Sequence, residues 1–173
     1  MISTRTRQVN RISSDARIDT SRAINFFFNG KRYQGYQGDT LASALLANGV
    51  KVVGRSFKYS RPRGIVGHGA EEPNAIVQIN SGRLTIPNLK ATQVELYEGL
   101  EANSVNGWPS VEFDLMSIFG CFRRMMPPGF YYKTFMYPAK FWMLYEKFIR
   151  KAAGLGRSPS QFDPDIYDKL NQH

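Results

Sequence analysis

The sequence predicts an α+β fold of the β-grasp kind, a mixed sheet covering one helix, followed by a C-terminal arm that is irregular and then helical. Three observations predict it. Asn29-Gly30 separates two strand-like runs, a strong short-range hairpin signal. A short amphipathic stretch follows and is closed by Gly49. Beyond a loop punctuated by Gly and Pro, short apolar runs return with strand-like alternation.

The first strand is expected at Ile24, where Ile24, Phe26 and Phe28 alternate with Asn25, Phe27 and Asn29. Its partner runs from Lys31 to Tyr36. Gly30, Gly35 and Gly38 are read as turn glycines of this hairpin. Asp39 is expected to cap a helix over Thr40–Asn48 through its carboxylate. Leu41, Ala44 and Leu45 share one face of that helix, and Gly49 supplies a left-handed stop. After Val50–Val53 comes a basic loop, Arg55–Arg63, and then Gly67–Asn74. Strands are expected at Ala75–Ile79, at Arg83–Ile86 after a turn at 80–82, and at Thr92–Leu96.

Residues 101–137 are aromatic-rich and irregular, and Pro127-Pro128-Gly129 breaks any helix there. Pro138 suits the first turn of a helix over Ala139–Ala153. Phe141, Leu144, Tyr145, Phe148 and Ala152 share a face, and Gly154 ends the helix. The expected organisation is therefore a flexible arm at 1–23, a β-grasp domain at 24–100, an aromatic-rich arm ending in a helix at 101–154, and a linker at 155–173.

Composition narrows the function. Hydrophobic residues are 42% of the 173, enough for a buried core. No apolar run reaches the ~18 residues of a membrane span, and Met1–Arg7 lacks the apolar stretch of a secretory signal. A soluble, cytoplasmic protein is expected. The net charge of +9 is spread along the chain, whereas a polyanion binder more often concentrates charge on one face.

The candidate chemistry is sparse. No dinucleotide fingerprint, P-loop or nucleophile elbow is present. One cysteine, Cys121, cannot make an internal disulfide or hold an iron–sulfur cluster, which needs ~4 ligands. His68 between glycines has no evident catalytic partner, and His173 is terminal. Glu71 and Glu72 are adjacent, so on an extended chain they point to opposite sides and suit a turn or an ion pair better than acid–base catalysis. The loop cations Arg55, Lys58, Arg61 and Arg63, interleaved with Phe57 and Tyr59, admit three readings. They fit carboxylates of a neighbouring subunit, a phosphate of a neighbouring flavin or nucleotide, or nucleic acid. Charge dispersed elsewhere favours the subunit interface. The aromatic stretch suits a docking arm, with Trp108, Phe130, Tyr131 and Tyr132 as its apolar contacts.

Long strings carry a resemblance. They are Gln34–Val50, Gly54-Arg55-Ser56-Phe57-Lys58-Tyr59-Ser60-Arg61-Pro62-Arg63-Gly64-Ile65, Glu71-Glu72-Pro73-Asn74-Ala75, Ala91–Tyr97 and Phe130–Met136. From about Arg17 to Asp165 the chain resembles the start of the α subunit of heterotetrameric sarcosine oxidases. The resemblance implies a ferredoxin-like [2Fe–2S] fold. Related amino-acid dehydrogenases hold a cluster in a cysteine-rich loop after a Pro-Arg-Gly. Here Pro62-Arg63-Gly64 is followed by no cysteine as far as Asn74, so the fold is expected without its metal.

It further implies that residues 155–173 lead toward a Rossmann domain, so the chain is expected to be a fragment, a truncated gene product or a split subunit. The parent complex, with β, γ and δ subunits, would use FAD, FMN, NAD and tetrahydrofolate. It would demethylate sarcosine to glycine, with H2O2 and formaldehyde or 5,10-methylene-tetrahydrofolate as co-products. No catalytic, cofactor-binding or metal residue carries over to this chain, which alone is expected to be inactive.

Overall fold

The structure is a computed structural model and describes residues 8–12, 18–56, 59–115, 117–118 and 138–153. Strand β1 (Asp19–Phe28) and strand β2 (Lys31–Gln37) form the expected hairpin around Asn29-Gly30, both with positive φ. Helix α1 (Leu41–Ala47) follows. Two short strands, β3 (Gly54–Arg55) and β4 (Pro62–Arg63), make a separate two-stranded sheet. Strands β5 (Ile76–Ile79), β6 (Ile86–Lys90) and β7 (Glu101–Ser104) complete the main sheet in the order β2-β1-β7-β5-β6. The β1–β7 pairing is parallel and the others are antiparallel, so the sheet is mixed. This is the predicted α+β, ferredoxin-like β-grasp arrangement. Among the described residues no helix is long and apolar enough to cross a membrane.

The core forms where the alternation of β1 meets α1. Phe26 and Phe28 point inward against Leu41, Ala44 and Leu45, with Val53, Val77, Ile79 and Leu100 around them. Phe26 also stacks on its cross-strand neighbour Tyr33, ring centroids 5.7 Å apart. Truncating Phe26 or Leu45 to Ala removes fully buried atoms and costs about 2–5 kcal/mol.

Several expectations are corrected. The polar N-terminal arm is not free over its whole length. Residues from Asp19 onward belong to β1, and the 8–12 segment docks on the domain through Asn10 N–H to the Ala47 carbonyl (3.2 Å) and Arg11 to Asp39. Asp39 is not the helix cap. Thr40 is, in a capping box with Ser43, while Asp39 is buried and accepts from Arg11, Ser43 Oγ and Tyr36 N–H. Gly35 is mid-strand rather than in a turn, and a Cβ there would collide with the Leu96 side chain and lie 3.1 Å from Ala44 Cβ.

Strand boundaries also move. Gly82–Leu84 is a 3-10 turn, and the strand begins at Ile86. Around Thr92–Leu96 the inward residues Val94 and Leu96 are buried as expected, but no strand forms beyond one bridge of Glu95 to Thr40. The backbone there bonds to the helix entrance instead, Leu41 N–H to the Val94 carbonyl (2.8 Å) and Leu96 N–H to the Asp39 carbonyl (2.9 Å). Strand β7 lies beyond the expected domain end at residue 100. Its sequence Glu-Ala-Asn-Ser shows no apolar alternation, yet it takes the centre of the sheet with Ala102 buried.

The C-terminal helix is present as a 3-10 turn over Ala139–Phe141 followed by α2 (Trp142–Ala153), with Pro138 extended just before it. Phe141 and Leu144 are exposed and Tyr145 half-buried, so this face is not packed into the domain core. Gly154, Cys121 and the expected linker lie outside the described residues.

Candidate functional site

The basic loop folds into the β3–β4 hairpin. Gly54 pairs with Arg63 and Arg55 with Pro62, and the turn is drawn tight by Ser60, whose positive φ of 49° lets its N–H reach the Ser56 carbonyl (2.9 Å). Ser60 Oγ donates to Asp114, which also accepts the Trp108 N–H at 3.0 Å.

Arg55 does not project outward. Its guanidinium donates to three carbonyls, Val111 (2.7 Å), Ser60 (3.0 Å) and Glu112 (2.9 Å), while its backbone N–H donates to Asn106 Oδ1 at 2.7 Å. The planar fork of arginine is suited to such convergent acceptors. Arg55 therefore stitches the hairpin to the segment after β7.

Arg61 and Arg63 are exposed. Arg61 lies over the Tyr59 ring at 5.0 Å, and Arg63 Nη1 donates to Asn74 Oδ1 at 2.9 Å. Neither is paired with a carboxylate among the described residues. Arg63 borders an open cavity of about 230 Å³ lined also by Arg55, Ser56, Asn74 and Asn106. Trp108 is 60% exposed and is followed by a cis peptide to Pro109. Of the residues expected at an interface, Arg61, Arg63 and Trp108 are thus displayed and Arg55 is turned inward. Lys58, Phe130, Tyr131 and Tyr132 lie outside the described residues.

The most strongly built feature follows the hairpin. Glu72 is fully buried. One carboxylate oxygen accepts the N–H groups of Val66 (2.8 Å) and Gly67 (2.5 Å), and the other those of Asn74 (2.7 Å) and Ala75 (3.2 Å). Burial pushes its pKa up, but the four N–H donors outweigh that and hold it below the ordinary value. From the sequence, Glu72 is expected in a turn or an ion pair. The turn is found, but the convergence of donors from both ends of the loop is a three-dimensional property with no signature in spacing. Glu71 and His68 are exposed, and among the described residues the His68 ring makes no hydrogen bond that would orient it for proton transfer. No group of three or more His, Cys, Asp or Glu among the described residues could hold a metal ion.

Comparison with known proteins bears directly on this geometry. The family described as 2Fe-2S iron-sulfur cluster binding domain matches residues 21–107. The chain is 54% identical over 157 residues to "Sarcosine oxidase subunit alpha" of Rhizobium meliloti (strain 1021), covering 90% of this chain and 16% of that protein. It is 38% and 41% identical over 98 residues to proteins of the same name from Corynebacterium sp. strains U-96 and P-1, covering 55% of this chain and 10% of each. The chain thus spans 16% or less of the length of these relatives. The solved structure of L-proline dehydrogenase from P.horikoshii overlaps 52% of this chain and 16% of its own, with TM-score 0.39 and 22% identity, a likeness too distant to bear on function.

The residues present do not fit an iron–sulfur cluster. Its ligands are thiolates, and the matched segment 21–107 contains no cysteine. The chain's one thiol, Cys121, falls outside that segment.

Proposed function

Since the chain belongs to the 2Fe-2S iron-sulfur cluster binding domain family and is homologous to sarcosine oxidase α subunits, we propose that it is the N-terminal auxiliary domain of such a subunit. In this role it holds an oxidoreductase complex together and does not itself relay electrons. The observation that carries the reading is the 54% identity sustained over 90% of the chain, well beyond the segment the family match covers.

The parent complex oxidises the N-methyl group of sarcosine with O2. It releases glycine and H2O2, and the one-carbon unit leaves as formaldehyde or, with tetrahydrofolate, as 5,10-methylene-tetrahydrofolate. FAD, FMN and NAD belong to other domains and subunits, and this chain supplies no catalytic residue.

The contacts at the β3–β4 hairpin are polar. Arg61 and Arg63 stand exposed without carboxylate partners among the described residues, which suits bidentate pairing with acidic side chains of the β, γ or δ subunits. Lys58 and the apolar Trp108, Phe130, Tyr131 and Tyr132 complete the proposed contact set on the strength of the sequence. No observation favours the nucleic-acid reading of the loop.

The test is charge reversal. Arg61→Glu combined with Arg63→Glu, in the full-length α subunit co-expressed with its partners, is expected to reduce the assembled fraction seen by native mass spectrometry. Assembly equal to wild type would contradict the interface.

A further inference from the structure

We propose that Glu72 is a resident anion that organises the 64–75 loop in place of an iron–sulfur cluster, so that the loop closes by folding alone and its backbone donors form a carboxylate-binding site filled from within. Three observations converge on this. The chain belongs to a cluster-binding family, yet it has no cysteine anywhere in the matched segment. Within that segment, four backbone N–H groups from two separate stretches, Val66-Gly67 and Asn74-Ala75, point at one carboxylate. Among the described residues no cation pairs with that carboxylate, and the four N–H dipoles are what faces its charge.

Convergent backbone N–H groups form anion-binding concavities, the kind that serve phosphates and iron–sulfur centres. A thiolate-ligated cluster is such an anion, and hydrogen bonds to its sulfurs tune it. Left without an acceptor, such donors carry a cost approaching that of a lost hydrogen bond, greatest at the buried Ala75 and smaller at the part-buried Val66, Gly67 and Asn74. A glutamate side chain aimed into the concavity removes that cost with two oxygens and four acceptor positions.

The backbone is shaped around it. A Cβ at Gly67 would lie 3.2 Å from Glu72 Cα, and one at Gly64 only 2.6 Å from the Lys51 carbonyl oxygen, so both positions are pressed against neighbouring backbone. The outer rim is tied to the main sheet and the turn beyond it. Thr92 Oγ1 donates to the Gly69 carbonyl at 2.6 Å, and the Lys90 ammonium donates to the Ala70 carbonyl. The loop is therefore complete as built, with its centre occupied by the protein's own carboxylate.

The experiment uses the full chain, wild type and Glu72→Ala, with sodium formate as the probe. Glu72→Ala is expected to melt lower than wild type, and formate is expected to raise its midpoint in a saturable way, while sodium chloride at equal ionic strength does not. Wild type should show no such response. An equal formate response in both proteins, or none in Glu72→Ala, would overturn the proposal.

Should Glu72→Ala fail to fold, amide hydrogen exchange on wild type decides the matter. In iron-free protein the Val66, Gly67, Asn74 and Ala75 amides should exchange at least about tenfold slower than unprotected amides. Unprotected exchange there, with protection gained only after reconstitution with iron and sulfide, would show that the loop still awaits a cluster.

Discussion

Arg11 closes over Asp39: its Nη2 lies 2.5 Å from Oδ2 of a fully buried carboxylate, and its guanidinium covers the Tyr36 ring at 4.9 Å. The arginine comes from the N-terminal segment and the aspartate from the junction of β2 and α1, so one pair fastens the start of the chain to the core. Arg11→Ala would leave Asp39 buried with only Tyr36 N–H and Ser43 Oγ as donors. The expected loss is about 1–3 kcal/mol in urea unfolding. A change within experimental error would mean that the segment does not dock in solution.

Gly35 is required by packing. Gly35→Ala inserts a methyl against Leu96 and Ala44, and overpacking of this kind costs about 1–3 kcal/mol. Because the clash is with a side chain, Leu96→Ala in the same chain should show favourable coupling in a double-mutant cycle. Strict additivity would place the strain elsewhere.

Arg55 and the Arg61–Arg63 pair separate structure from assembly. Arg55→Lys keeps the charge but not the fork that holds three carbonyls, and should destabilise the isolated chain by about 2 kcal/mol. Arg61→Glu with Arg63→Glu should leave the unfolding free energy within about 0.5 kcal/mol of wild type, as exposed substitutions usually do. Thermal unfolding of the two variants side by side checks both statements.

Acid should loosen the Glu72 loop. The folded-state pKa of Glu72 lies below its ordinary 4.5: burial raises it, and the four N–H donors outweigh that and lower it. A depressed carboxylate stabilises the fold fully above the unfolded value, and that stability is lost as pH falls through the folded one. Stability should therefore hold from neutrality down to about pH 5 and decline below 4.5, where Glu72 contributes. Glu98, lowered by the N–H and side-chain amide of Asn25, acts in the same direction from an exposed position. In Glu72→Gln the decline should be shallower. A pH profile identical to wild type would remove Glu72 as a cause.

The elements legible in the sequence were those with local chemistry. Asn29-Gly30 dictated the hairpin because both residues take positive φ, and the 41–45 face dictated which side of α1 is buried. What escaped was set by distant partners. β7 is polar and four residues long, and only its place between β1 and β5 makes it central. Asp39 was recognised as a helix-start residue, but the aspartate's burial under Arg11 drew it away from the cap and left Thr40 to do that work. The loss of cluster ligands was plain from the cysteine count, whereas the group that replaced them was visible only once four amides were found pointing at one side chain.

The most direct test of the assembly role is native purification of the tagged chain from its own host, with a denaturing gel, a visible spectrum and a sarcosine-dependent peroxide assay. The account predicts co-purifying β-, γ- and δ-like subunits, flavin absorbance and peroxide release on sarcosine. A chain that emerges alone, colourless and without that activity would contradict it.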